Sequence, residues 1–157
     1  MLLKILGICM ILGAGGMAAC SAVGTERRKL SVLDGWIDLI LHIRGQIDCY
    51  LTPLEDILIH ADPKLLSACM GTSKDRTPAA LLRRSAPFLD PESNRLLEGF
   101  TREIGSSYRE EQIKRCDHYL LVLQKNREQL ASQLPARIKV SATLCICGAL
   151  GAAILLW

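Results

Sequence analysis

The chain has 157 residues, of which half are hydrophobic and only 4% aromatic; 19 Lys and Arg stand against 16 Asp and Glu, giving a formal net charge of +3. A near-balanced charge and no aromatic stacking series argue against a nucleic-acid-binding surface. The length allows one modest domain besides any membrane segments, and an odd, scattered set of seven cysteines is no disulfide framework but fits a reducing compartment.

From Ile5 to Thr25 there is no Asp, Glu, Lys or Arg. About 20 apolar residues, at about 1.5 Å rise each, cross the roughly 30 Å hydrocarbon core of a bilayer, so residues 1–25 are expected to form a transmembrane helix. Arg27, Arg28 and Lys29 follow directly. Cytoplasmic flanks are rich in Lys and Arg, which places the following domain in the cytoplasm. A second reading treats the same stretch as a signal sequence: Lys4 is its charged start, and Met17-Ala18-Ala19-Cys20 loosely resembles a lipoprotein cleavage and lipidation site. That reading makes the protein an extracytoplasmic helical binding module, held at Cys20 and at the C-terminal segment.

Residues 26–139 read as an all-α domain, a bundle of two long antiparallel helices with several short ones. The first long helix is expected from about Glu26 to Leu51, where Leu30, Leu33, Ile37, Ile40, Ile47 and Leu51 recur at three-four spacing with Arg44 interrupting. Thr52-Pro53-Leu54-Glu55 then starts a short helix, because Thr caps, Pro suits the first helical position and Glu reaches back to the cap. The cap-then-proline pattern recurs at Asp62-Pro63, Thr77-Pro78 and Asp90-Pro91. These starts give short helices over about 53–61, 63–70, 78–85 and 91–104, with residues 71–76 as a polar loop. Gly105 suits a helix end and Ser107-x-x-Glu110 forms a capping box.

The last long helix is expected from Tyr108 onward. Ile113, Cys116, Leu120, Leu123, Leu130 and Leu134 form its stripe, broken by Arg127, and Pro135 is a candidate kink. Arg44 and Arg127 must be peripheral or paired, since an unpaired buried charge is very costly. Residues 140–157 are again uncharged and preceded by Arg137 and Lys139, so a second transmembrane helix, a terminal anchor, is expected there.

Chemistry has little support. His42, His60 and His118 are scattered, and no His-Glu-x-x-His, phosphate-binding Gly-rich loop or Gly-x-Ser-x-Gly occurs. Cys116 and His118, two apart on a helix, point to different faces. Glu55-Asp56 and Glu110-Glu111 fit first helical turns, where negative charge suits the helix dipole. Arg83-Arg84 reads as a solvated basic pair. Without a Cys-x-x-Cys pair a zinc site is not signalled. The expectation is a non-enzyme with no metal and no cofactor.

Two segments nevertheless carry a resemblance. Gln46-Ile47-Asp48-Cys49-Tyr50-Leu51-Thr52-Pro53-Leu54 is similar to a Glu-Ile-x-Tyr-x-x-Thr-Pro-Leu signature, and Phe100-x-x-x-Ile104-Gly105-x-x-Tyr108-x-x-x-Gln112 is similar to Phe-x-x-x-Leu-Gly-x-x-Asp-x-x-x-Gln. Together with the two apolar ends, these resemble the stage III sporulation protein AB family. Gln46, Cys49 and Tyr108 depart from the Glu, Tyr and Asp of the pattern, whereas Thr52, Pro53, Leu54, Gly105 and Gln112 keep it. The resemblance implies a cytoplasmic helical domain similar to the inner-membrane platform domains of type II secretion and type IV pilus systems. It implies a place in the channel complex between mother cell and forespore, in the mother-cell membrane, with a cytoplasmic secretion-type ATPase and other channel components as partners. The matching residues Thr52, Pro53, Leu54, Gly105 and Gln112 are the candidate interface residues, and their caps and turns give each a structural role as well. A second copy of the chain is a further candidate partner.

Overall fold

The computed structural model describes the backbone of residues 2–50, 54–72, 75, 77–105 and 108–156, and the side chains of Met17, Ser21, 23–49, 54, 56–72, 75, 77–105, 108–148 and Gly151. Every described element is helical: α1 (Leu2–Tyr50), α2 (Leu54–Ile59), α3 (Pro63–Ala68), α4 (Pro78–Ser85), a 3-10 turn (Ala86–Phe88), α5 (Pro91–Glu103) and α6 (Arg109–Leu156). The chain divides into two compact units, Lys29–Leu130 and Met1–Arg28 with Ala131–Trp157.

The helix starts expected from cap-then-proline pairs form by the expected chemistry. Asp62 accepts from the Lys64 N–H at 2.8 Å, Thr77 from the Ala80 N–H at 3.3 Å, and Asp90 from the Glu92 and Ser93 N–H groups at 3.1 and 3.0 Å. Each side chain satisfies a donor that the first turn leaves without a helical partner. Thr52, Pro53 and Ser107, the remaining expected cap residues, lie outside the described residues.

The first long helix differs from the expectation in extent. It begins at Leu2 rather than near Glu26, because nothing between the two segments stops it: a lone Gly24 costs only about 1 kcal/mol, and Thr25 Oγ1 donates to the Ser21 carbonyl at 2.6 Å. The last long helix runs on through Pro135 to Leu156.

Within Lys29–Leu130, α1 and α6 run antiparallel, as three cross-pairs at successive levels show: Asp34 with Arg127, Arg44 with Asp117 and Asp48 with Arg109. The core lies beneath them. The expected stripes are buried at Leu33, Ile37, Ile40 and Ile47 on α1 and at Cys116, Leu120 and Leu123 on α6. A second α1 face, Val32, Trp36, Leu39 and Ile43, is also fully buried. A single three-four stripe therefore understates α1: it is covered on one side by α6 and on the other by the short helices. Trp36 marks the second interface, where its Nε1–H donates to Ser85 Oγ on α4 at 2.9 Å.

Short helices pack where backbone can approach closely. At Gly35 a Cβ would stand 2.8 Å from the backbone carbonyl carbon of Ala68, at the end of α3. α3 itself ends in a Schellman arrangement: the Met70 N–H donates to the Ser67 carbonyl at 3.0 Å and the Gly71 N–H to the Leu66 carbonyl at 2.8 Å. The left-handed position is held by Met70, at φ 62°, where glycine is usual. The polar loop that follows places a carboxylate out of solvent. Asp75 is buried, accepts from Thr72 N–H and Oγ1 at 2.8 and 3.1 Å, and pairs with Arg84 at 3.3 Å.

In the other unit, Arg137 lies 3.9 Å from Glu26 and donates to Gln133 at 2.9 Å. Met17, Val140, Leu144 and Ile146 expose large apolar side chains there. Among the described residues no helix is long and apolar enough to cross a membrane. Most side chains of the first expected span, and those of 149, 150 and 152–157 in the second, lie outside the described residues.

A candidate docking site where two motif segments meet

The two motif segments, far apart in sequence, come together at one end of the α1–α6 pair. Arg109, the first residue of α6, donates through Nη2 to Asp48 Oδ1 at 2.8 Å and to the Asp48 backbone carbonyl in the last turn of α1. That carbonyl is among those a helix end leaves without an internal partner, so one guanidinium neutralises a carboxylate and caps a helix. A cation at the start of α6 opposes the helix dipole. Asp48 supplies the compensating charge.

The α5–α6 turn is built for the same approach. Gly105 adopts φ 89°, a left-handed backbone that side chains resist. Space is not what excludes a side chain there, since a Cβ would meet Leu54 Cδ2 at an ordinary 3.6 Å. Leu54 is half-buried and packs on the core, so Gly105 and Leu54, one from each segment, are brought together. Arg115 reaches back to the Glu103 carbonyl at the end of α5 at 2.9 Å and pairs with Glu111 at 2.7 Å. Tyr119 stacks edge-on against Phe100, ring centroids 5.5 Å apart; burial and then the neighbouring Glu103 charge raise its pKa.

Beside these contacts stands an exposed aromatic side chain. Tyr108 is 90% exposed. Its backbone works, accepting from the Gln112 N–H at 3.0 Å to open α6, while its ring is exposed. An Asp here would cap the helix; a Tyr cannot. Gln112 is half-buried one turn further on. Of the candidate residues, Leu54, Gly105 and Gln112 are thus placed at or near this junction, and Thr52 and Pro53 lie outside the described residues. Asp48, Arg109 and Arg115 were not singled out by sequence. The available signal was the Arg in a first helical turn, which calls for an acidic partner.

No three His, Cys, Asp or Glu side chains among the described residues converge as metal ligands. Cys116 is buried and His118 exposed, on different faces of α6 as their spacing predicts. Burial pushes the Cys116 thiol up to about 11 and the Cys69 thiol up to about 12, the opposite of what a nucleophilic thiolate needs.

The family model described as stage III sporulation protein AB matches residues 79–157, half of the chain. The match takes in α5, the Gly105 turn and α6. No curated protein and no solved structure gives a significant match.

Proposed function

The chain belongs to the stage III sporulation protein AB family, and from that premise we propose that it is a non-catalytic, membrane-anchored platform of the sporulation channel between mother cell and forespore, docking a cytoplasmic secretion-type ATPase. The observation that carries the docking site is Tyr108, an aromatic ring 90% exposed at the junction of the two motif segments. Tyr is among the residue types enriched at the energetic centres of protein interfaces. The next residue, Arg109, is tied to Asp48 at 2.8 Å.

Anchoring at both ends is supported by the uncharged stretches 5–25 and 140–157 and by the exposed apolar Met17, Val140, Leu144 and Ile146. The basic flanks on the inner sides of both stretches favour the Lys29–Leu130 unit in the mother-cell cytoplasm. In this role the partner supplies the chemical energy. The platform holds it at the membrane and passes on its movement.

The topology is tested with Cys49, an exposed thiol within the motif segment. A membrane-impermeant maleimide is added to intact protoplasts, and labelling is mapped by peptide mass. Cys49 labelled only after permeabilisation supports the platform. Labelling in intact protoplasts puts the domain outside, removes the ATPase as partner and favours the lipoprotein-like binding module.

A further inference from the structure

The α1–α6 seam carries an ordered charge pattern over an exposed apolar pair. Asp34 on α1 lies beside Arg127 on α6, with N···O 2.9 Å, and Arg44 on α1 lies beside Asp117 on α6. Each helix therefore presents an Asp and, ten residues later, an Arg. Because the helices run in opposite directions, the four charges form a square in which signs alternate along both helices and across both levels. All four side chains are between about a third and a half exposed, so the square faces solvent. Between its two levels the same register sets Leu41 level with Leu121, and these are 46% and 69% exposed. Single exposed leucines are ordinary on a surface; two at one level, framed by ion pairs, form a patch.

We propose that this face binds a second copy of the chain, in a two-fold symmetric dimer. An alternating square of charges is complementary to itself. Turn one copy over about an axis parallel to the helices and its Asp34 faces the partner's Arg127, while its Arg44 faces the partner's Asp117. The leucine pairs then meet at the centre and leave water together. A two-fold interface uses the same patch on both subunits, and this patch meets that condition. A strongly acidic or strongly basic partner is disfavoured, because each level already holds both signs. The seam from Asp34 to Asp48 spans 14 residues, roughly 21 Å. With two helices each about 10 Å across, the face covers about 400 Å², half of a standard interface of about 800 Å² per partner, so the dimer is weak and reversible.

The test uses the full chain in detergent micelles, with mass measured by sedimentation over a range of concentrations. The wild type should pass from monomer to dimer as concentration rises. Leu41→Glu with Leu121→Glu should raise the dissociation constant by about 100-fold or more at an unchanged melting temperature, since both sites are exposed. As a second measurement, one chain carries Arg44→Glu and Arg127→Glu and another carries Asp34→Lys and Asp117→Lys. Each should be monomeric alone and the mixture should form the heterodimer. A wild type that stays monomeric at every concentration overturns the proposal. So does a dimer that survives the double leucine change, which would then be held elsewhere in the chain, and so does a charge-converted mixture that stays monomeric.

Discussion

Trp36 on α1 and Ser85 at the end of α4 are both fully buried, and the indole Nε1–H donates to the serine hydroxyl at 2.9 Å. The hydroxyl in turn donates back to the Leu81 or Leu82 carbonyl, at 3.3 and 3.2 Å. One small side chain thus settles the only polar atom of the largest core residue. Ser85→Ala strands that donor and should cost about 1–3 kcal/mol in denaturant unfolding. Trp36→Phe in the Ser85→Ala background should lose less than the sum of the two single changes, because the unsatisfied group is then gone.

Glycines at close approaches should differ by what they face. Gly35→Ala sets a methyl against the Ala68 backbone at 2.8–3.0 Å and should destabilise by about 1–3 kcal/mol. Gly105→Ala strains a left-handed backbone and should cost about 1–2 kcal/mol. Gly99→Ala meets the Tyr119 hydroxyl at 2.7 Å, the end of a side chain rather than backbone, and should be the mildest of the three. Thermal melts of the three variants rank them.

Acid should weaken the fold through Asp90. Burial acts to raise its pKa, but hydrogen bonds from Ser93 and Asn126 outweigh it and hold the carboxyl below its ordinary 3.8. A depressed carboxylate stabilises the fold above its unfolded pKa, and that stabilisation is lost as pH falls below about 3.8 toward the folded value. Asp90→Asn, which can still cap α5, should show a shallower loss of stability across that range than the wild type.

Alkali should act through the buried thiols. Cys69 and Cys116 ionise at about 12 and about 11 in the fold against 9.0 when exposed, so the unfolded chain releases their protons first. These two thiols leave stability unchanged below pH 9 and lower it between 9 and about 11–12. Cys69→Ala should flatten that decline. At neutral pH iodoacetamide should modify Cys49 in the native protein and reach Cys69 and Cys116 only on unfolding.

The junction should separate stability from binding. Arg109→Ala removes a cap and an ion pair together and should cost about 1 kcal/mol, more than Asp48→Asn, because exposed ion pairs alone contribute little. Tyr108→Ala should leave the melting temperature unchanged, since its ring is exposed, and should abolish ATPase binding in a pull-down of the two purified proteins.

Much of the helical layout was legible because it rests on local chemistry. Asp62, Thr77 and Asp90 each precede a proline, and each caps its helix. Cys116, Leu120 and Leu123 recur at helical spacing and are buried. What sequence did not disclose depends on partners distant along the chain. The second buried face of α1 exists because α4 covers Trp36. Asp75 reads as part of a polar loop until Thr72 and Arg84 enclose it. The left-handed residue after α3 is Met70, so the usual glycine signal points one residue late, to Gly71. At the site, Gly105 and Leu54 were visible as motif residues, whereas Asp48 and Arg109 become partners only once α1 and α6 are laid antiparallel.

A photo-crosslinking amino acid at position 108, introduced into the full chain in sporulating cells, tests the docking site most directly. The account predicts a crosslink to a secretion-type ATPase from position 108, and none from exposed position 118, ten residues further along α6. Crosslinks from position 108 only to extracytoplasmic proteins, or none while the chain accumulates normally and spores form, would contradict it.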